Sequence, residues 1–242
     1  MVEITKKYCF HHVPKTAGSS LQLRLAHREW IGELPADSTL VVYPFRGDTR
    51  FYRVSEDPDF KETNTIRQAF ERTYLQPRTQ KSSSIVMGHM TTVGQAGDHY
   101  TWLRHPLKRD ISHFNFDMKT NNAMADNFYD HMDALMGNFM VQWFWKHYLG
   151  RMDSPPFDKK YETVRRTLEN KFVRIWDSSN FETSWDFICD QLGISKEPRL
   201  NSNEVGKDYV EHFNISDIRE GYAREHKQRN EFDYLLYEEF AR

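Results

Sequence analysis

The sequence predicts an α/β fold, a mostly parallel sheet flanked by helices. Three observations lead there. Short apolar runs that read as buried strands alternate with stretches of helical periodicity. The first of these strands runs straight into a short loop carrying a lysine, a glycine and hydroxyls, and a helix follows. Residues with usable chemistry, Lys15, His89 and Arg104, each come just after a predicted strand. In parallel sheets ligands bind beyond the carboxyl ends of the strands, so these three residues are expected to meet at one edge.

The first strand is Tyr8-Cys9-Phe10, and Leu21 to Trp30 reads as the first helix. Between them His11-His12-Val13-Pro14-Lys15-Thr16-Ala17-Gly18-Ser19-Ser20 has the make-up of an anion cradle. Free amides and the positive end of the helix dipole face a bound phosphate there. Gly18 lets the backbone come close, Ser19 or Ser20 caps the helix, and Lys15 adds a point charge. The order is not that of a Walker A loop, because the lysine precedes the glycine. An ordinary capped strand-to-helix turn is the plain alternative.

The second strand is Ser38 to Phe45, ended by Pro44 and Gly47. Arg46 to Thr65 reads as a long polar surface loop whose Arg46, Arg50 and Arg53 are more simply solvated than functional. Thr65 to Tyr74 reads as a helix, and residues 77–84 as a linker. Ser84 to Met90 is the third strand, with His89 at its carboxyl end, and His99 to Leu103 is the fourth. Pro106 suits a first helical turn, and Leu107, Ile111, Phe114 and Met118 form one apolar face, with Lys108, Ser112 and Asn115 on another.

Asp126 to Leu149 reads as a helical, aromatic-rich region that is mostly core, part of which can wall an acceptor pocket. Ser154-Pro155-Pro156 is a break and the best candidate for a subdomain joint. Tyr161 to Asn170 then reads as a helix, Phe172 to Trp176 as a strand and Phe181 to Leu192 as a helix closed by Gly193. Glu197 to Lys207 is a loop with Asn201, Asn203 and Lys207. Ile218 and Tyr222, then Phe232, Leu235, Leu236 and Phe240, mark two closing amphipathic helices.

Composition narrows the function. The chain has 242 residues, 38% hydrophobic and 14% aromatic, and is read as one domain over 1–242. With a net charge of −2, nothing points to a broad nucleic-acid footprint or a polybasic membrane patch, so any anion site is local. Cys9 and Cys189 make neither a disulfide framework nor a metal motif, and no metal-ligand cluster is visible. The charged stretch Met1 to Lys7 lacks the apolar core of a signal peptide, and no run approaches the ~20 residues needed to span a bilayer. The expected compartment is the cytoplasm.

The loop His11 to Ser20 resembles the 5′-phosphosulfate loop of sulfotransferases that use 3′-phosphoadenosine 5′-phosphosulfate (PAPS). It is most similar to the carbohydrate branch containing the heparan sulfate 2-O- and 6-O-sulfotransferases. Leu103 to Phe114, with Arg104 and Ser112 eight residues apart, resembles that family's 3′-phosphate motif. Gly88-His89 is similar to the segment presenting its catalytic histidine, and Phe232 to Tyr237 to its closing helix. His105 and Asp110 depart from the family's usual pattern.

The resemblance implies the P-loop-containing nucleoside triphosphate hydrolase-like sulfotransferase fold, with PAPS as co-substrate and no metal. It implies that Lys15, Thr16, Ala17, Gly18, Ser19 and Ser20 hold the 5′-phosphate, and that Arg104 and Ser112 hold the 3′-phosphate. Lys15 also stabilises the leaving group, and His89 takes the proton of an acceptor hydroxyl. A hydrogen-bonded core histidine is the other reading of His89, and His12, His105 and His113 are its rivals as base. The acceptor is expected to be a small molecule, lipid or simple glycan, because the composition shows no basic groove for a polyanionic chain. A non-catalytic nucleotide- or glycan-binding module and a nucleotide kinase with an aberrant P-loop are the alternatives.

Overall fold

The computed structural model describes residues 7–30, 33–34, 40–43, 85–88, 91–94, 96–151, 153–197 and 211–241. In chain order the elements are β1 (Tyr8–His11), α1 (Gly18–Trp30), β2 (Leu40–Tyr43), β3 (Ile85–Gly88) and β4 (Asp98–Leu103). Then come α2 (Pro106–Lys119), α3 (Phe128–Ala134) and α4 (Phe139–Trp143), which continues as a π-helical turn over Phe144–Tyr148. α5 (Phe157–Lys171), β5 (Phe172–Asp177), α6 (Phe181–Leu192), α7 (Tyr222–Arg229) and α8 (Glu231–Phe240) complete them.

All described strand pairs are parallel, and the sheet order is β2-β3-β1-β4-β5. His11, the last residue of β1, pairs with Gly88 on one side and Thr101 on the other. The chain leaves β1 toward β2 on one flank of the sheet, and leaves β4 toward β5 on the opposite flank. The crevice between β1 and β4 is therefore the switch point at which parallel sheets bind ligands.

Alternation along the strands builds two layers. Tyr8 and Phe10 of β1 and Tyr100 and Trp102 of β4 pack with Leu21 and Leu25 of α1 and with Trp185 and Ile188 of α6. On the other face, Leu103 and Ile175 pack with Val141 and Phe144, with Val164 and Leu168 of α5, and with Leu236 of α8. Each such buried side chain contributes about 1.5–3 kcal/mol. A third cluster joins α2 to α3 and α7 through Leu107, Ile111, Phe114, Phe128, Met132 and Tyr222. Pro106 is at the start of α2, and Gly193, at φ 66°, ends α6 in the left-handed conformation that glycine adopts without strain.

Sequence and structure part at several places. α1 starts at Gly18, three residues before the periodicity predicts, so Ser19 and Ser20 lie in its first turn and neither is its cap. The aromatic stretch is not one helix. It breaks at residues 135–138, where Asn138 takes a left-handed backbone (φ 56°). Ile218 precedes α7 without joining it. Of the second predicted helix face, Lys108 is exposed, Ser112 half-buried and Asn115 buried. Residues 46–84, with the predicted loop, helix and linker, and 198–210 lie outside the described residues. Among the described residues no helix is long and apolar enough to cross a membrane.

Two helix N-termini cap each other. The Asn138 side-chain oxygen accepts from the backbone N–H groups of Phe232 and Asp233, at 2.9 and 3.2 Å. The Asp233 carboxylate accepts from the N–H groups of Met140 and Val141, at 2.8 and 2.9 Å. These are the donors that a helix start leaves unmet, so α4 and α8 fasten each other. Asp233→Ala should therefore lower unfolding stability by about 1–3 kcal/mol. Urea denaturation at pH 7 checks this, and an unchanged midpoint would contradict it.

Candidate active site

The loop after β1 is short and highly constrained. Thr16 closes it, donating both its hydroxyl (2.7 Å) and its backbone N–H (3.3 Å) to the Val13 carbonyl. Lys15 and Ala17 both have left-handed backbones, φ 68° and 66°. Each costs a non-glycine residue about 1–2 kcal/mol. Backbone that switches between left- and right-handed conformations forms concavities of N–H groups that bind anions. Helical bonding begins when the N–H groups of Ser20 and Leu21 donate to Ala17 O, at 3.0 and 3.3 Å. The amides of Gly18 and Ser19 thus come before the helical ladder, where a helix binds anions.

Gly18 is required by close approach. A Cβ at that position would lie 1.9 Å from Cδ2 of the His12 ring. His12 is 6% exposed, so its ring is wedged beneath the start of α1. The glycine therefore makes room for a side chain of the same loop.

Arg104 follows β4 and crosses to this loop, its Nη1 donating to Lys15 O at 3.2 Å. Lys15 Nζ lies 4.5 Å from the centre of the Phe116 ring on α2. The switch-point crevice thus has the loop on one side, Arg104 on the other and α2 alongside. Ser112 is half-buried on α2, and none of the described contacts joins it to Arg104. Thr16 reaches the loop with its donors turned inward, as above. Gly88 ends β3 at the same edge, and His89 lies outside the described residues, as do Asn201, Asn203 and Lys207.

Burial pushes five of the described histidines down, His11, His105, His113, His131 and His147. His11 Nε2 lies 2.8 Å from His99 Nδ1 on the buried face of the sheet, and burial with His99 pushes its pKa well below the usual value. Burial, then Lys108, lowers His105, whose ring meets Tyr234 and Tyr237 edge-on. Burial lowers His131, and burial together with Lys146 lowers His147. His113 falls to about 3 through burial and the neighbouring Arg109 charge. Asp233 moves the other way, raised by burial to about 7 despite its two N–H donors.

Among the described residues the fold assembles one ligand-like cluster that spacing did not reveal. His113, Asp117 and His131 bring one candidate ligand atom each to within 4.8 Å of one another. The donor set fits a cation poorly. His131 Nδ1 accepts the Met124 N–H at 3.0 Å, so the ring proton is on Nε2, which faces Asp117 Oδ2 at 3.4 Å. A metal on Nε2 would force a second donor against Met124 N–H. His113 Nε2 lies 3.2 Å from the same Oδ2, so the carboxylate sits between two imidazoles.

Two residues were missed in the sequence. Asn115 clasps residues 212–213, accepting from the N–H groups of His212 and Phe213 and donating to Phe213 O at 2.8 Å. The sequence places it on a helix face with Lys108 and Ser112, where nothing announces its burial. The other is Arg109, 2% exposed, beside a cavity of about 320 Å³ between α2, α3, α4 and α7. Nothing in its spacing sets it apart from a surface arginine.

No family model matches the sequence, and no curated protein matches it. Among solved structures, the chain is similar to a crystal structure of a sulfotransferase from Alicyclobacillus acidocaldarius. The identity is 14%, the TM-score 0.43, and the alignment covers 96% of each chain.

The wedge under α1 has a measurable consequence. Gly18→Ala should destabilise the protein by about 1–3 kcal/mol through overpacking. His12→Ala in the same chain should recover at least about 0.5 kcal/mol of it, as expected for residues in contact. Additive losses in a double-mutant cycle would contradict the wedge.

Acid should also destabilise the fold. Unfolded imidazoles bind protons below about pH 6.5. The folded His113 does so only near pH 3, so falling pH favours the unfolded chain. At pH 5 this one group accounts for about 2 kcal/mol. Asp233 opposes it, since a raised carboxyl pKa gives stability that is present below about pH 4 and lost as pH rises through 7. Between pH 7.5 and 5 Asp233 alone would gain about 2.5 kcal/mol, so the sign is set by the further imidazoles that burial pushes down, His11, His105, His131 and His147. Thermal melts from pH 7.5 to 5 should therefore show falling midpoints, less steeply in His113→Gln and more steeply in Asp233→Asn. Rising midpoints in the wild type would contradict this balance.

Proposed function

We propose that the chain is a PAPS-dependent sulfotransferase. The observation that carries this reading is the junction at the switch point. The positive-φ loop and the start of α1 lie on one side of the crevice, and the Arg104 guanidinium spans it to Lys15 O at 3.2 Å. A nucleotide with a phosphate at each end of its ribose suits such a two-sided cleft.

Sulfuryl transfer is in-line displacement, in which positioning and electrostatics do most of the work. The S–O bond to the 5′-phosphate breaks, and its electron pair leaves with 3′-phosphoadenosine 5′-phosphate. The acceptor oxygen forms the new S–O bond, and its proton passes to a histidine. In this reading Lys15, the amides of Ala17, Gly18 and Ser19, and the Ser20 hydroxyl stabilise the leaving 5′-phosphate, the Ser20 amide being committed to Ala17 O. The Thr16 hydroxyl keeps the loop in shape, since it is already committed to Val13 O. Arg104 takes the 3′-phosphate with Ser112 as a second donor, and the guanidinium releases Lys15 O to do so. His89, one residue beyond β3, serves as the base.

Thermal-shift measurement tests the reading. The protein should be stabilised by 3′-phosphoadenosine 5′-phosphate without magnesium, by about 2.7 kcal/mol at a hundredfold excess over Kd. Lys15→Ala should abolish transfer from labelled PAPS. Arg104→Ala should weaken nucleotide binding by about 1.5–3 kcal/mol, the range for hydrogen bonds to charged groups. Stabilisation only by ATP with magnesium would overturn the proposal in favour of a kinase.

A further inference from the structure

A cavity lies between α2, α3, α4 and α7, and its lining is both apolar and charged. Its volume, about 320 Å³, is at the small end of the range for small-molecule sites. Phe139 and Trp143 stack on each other, centroids 5.5 Å apart, along one wall. Met132 and Leu135 extend that wall, and Met136 stands 68% exposed at the side. Such a wall accepts an apolar or aromatic body.

The polar lining is mostly donors. The Arg109 guanidinium carbon lies over the Phe139 ring, 3.9 Å from its centre, and its Nη2 pairs with Asp110. Among the described residues its Nε and Nη1 are buried and meet no hydrogen-bond acceptor. Leaving donors of a buried charge unmet is costly, and a ligand oxygen placed there removes the cost. Asp110 is the carboxylate of the lining and is already shared with His226 at 2.9 Å. Burial would raise its pKa, but Arg109 and His226 outweigh that and keep it ionised. Lys146 adds a further donor, whereas Arg229 is committed to Asp133 and to the Met132 and Leu135 carbonyls, and Asn230 Nδ2 to His226 O.

One end of the cavity approaches the loop after β1. His113 lines it, and the Lys15 charge is among those acting on that imidazole. Phe116, which carries Lys15 Nζ, is three residues along the same helix face. His113 Nδ1 is buried without a partner among the described residues, so it can accept a hydrogen bond from a hydroxyl.

We propose that this cavity binds the acceptor, and that the acceptor is a small organic anion: a carboxylate on Arg109, an apolar or aromatic body along Phe139 and Trp143, and a hydroxyl toward His113. The word acceptor rests on the sulfotransferase reading, whereas the anion site does not. The hydroxyl oxygen forms the new S–O bond, its proton leaves to a histidine, and the sulfate ester and 3′-phosphoadenosine 5′-phosphate are the products.

Calorimetric titration of the whole chain tests this without turnover. The probes are 4-hydroxyphenylacetate and 4-hydroxybenzoate, their methyl esters, and tyramine. At least one acid should bind at least tenfold tighter than its ester, and tyramine should not bind. Arg109→Lys keeps the charge but loses the planar donors, and should weaken the acid by about tenfold. Equal binding of acid and ester, no binding of either acid, or unchanged affinity in a folded Arg109→Lys would overturn the site. If that variant does not fold, the acid-to-ester ratio in the wild type decides alone. A parallel titration with 3′-phosphoadenosine 5′-phosphate separates the two readings. Acid preference without nucleotide binding supports the anion site and overturns its role as acceptor site.

Discussion

Everything around the candidate site depends on β1 pairing in parallel with β3 and β4 at once. That pairing sets His11 beside both Gly88 and Thr101, so three chains leave the sheet at one edge. The loop after β1 can then meet Arg104, and the hydrogen bond to Lys15 O records the meeting. A strand register shifted by one residue would turn Tyr8, Phe10, Tyr100 and Trp102 away from α1 and α6. The aromatic layer and the crevice are therefore fixed by the same alternation.

The second half of the molecule is held by buried polar groups more than by a single apolar layer. Asn138 and Asp233 fasten α4 to α8, Asn115 ties α2 to residues 212–213, and His226 links Asp110 to Tyr234 at 3.2 Å. Each of these groups is satisfied, which is the usual condition for a polar group inside a fold. The Nε and Nη1 donors of Arg109 break that pattern where the cavity opens, and so does the neighbouring His113 Nδ1. The π-helical turn after α4 carries Lys146 and His147 to the same cavity, and departures of this kind from α-helical spacing are frequent at functional sites.

Much of the scaffold was legible in the sequence, because short apolar runs and helical periodicity report burial directly. β4, β5, α2 and α6 follow their periodicity closely, and Gly193 marks the end of α6. The loop after β1 and Arg104 could be read as partners from strand order alone. The start of α1 could not, since Gly18, Ser19 and Ser20 carry no apolar signal. The break at residues 135–138 was hidden by aromatic residues that look helical on every face. Arg109 and Asn115 were hidden for a different reason. A polar side chain announces burial only once the helices around it are assembled, and long-range partners such as Phe213 leave no local pattern.

The most direct measurement is a crystal structure of the protein with 3′-phosphoadenosine 5′-phosphate bound. The 5′-phosphate should lie on the amides between Lys15 and Ser20, with the 3′-phosphate against the guanidinium of Arg104 on the far side of the crevice. A nucleotide bound away from the β1/β4 crevice, or touching only one of these two groups, would contradict the account.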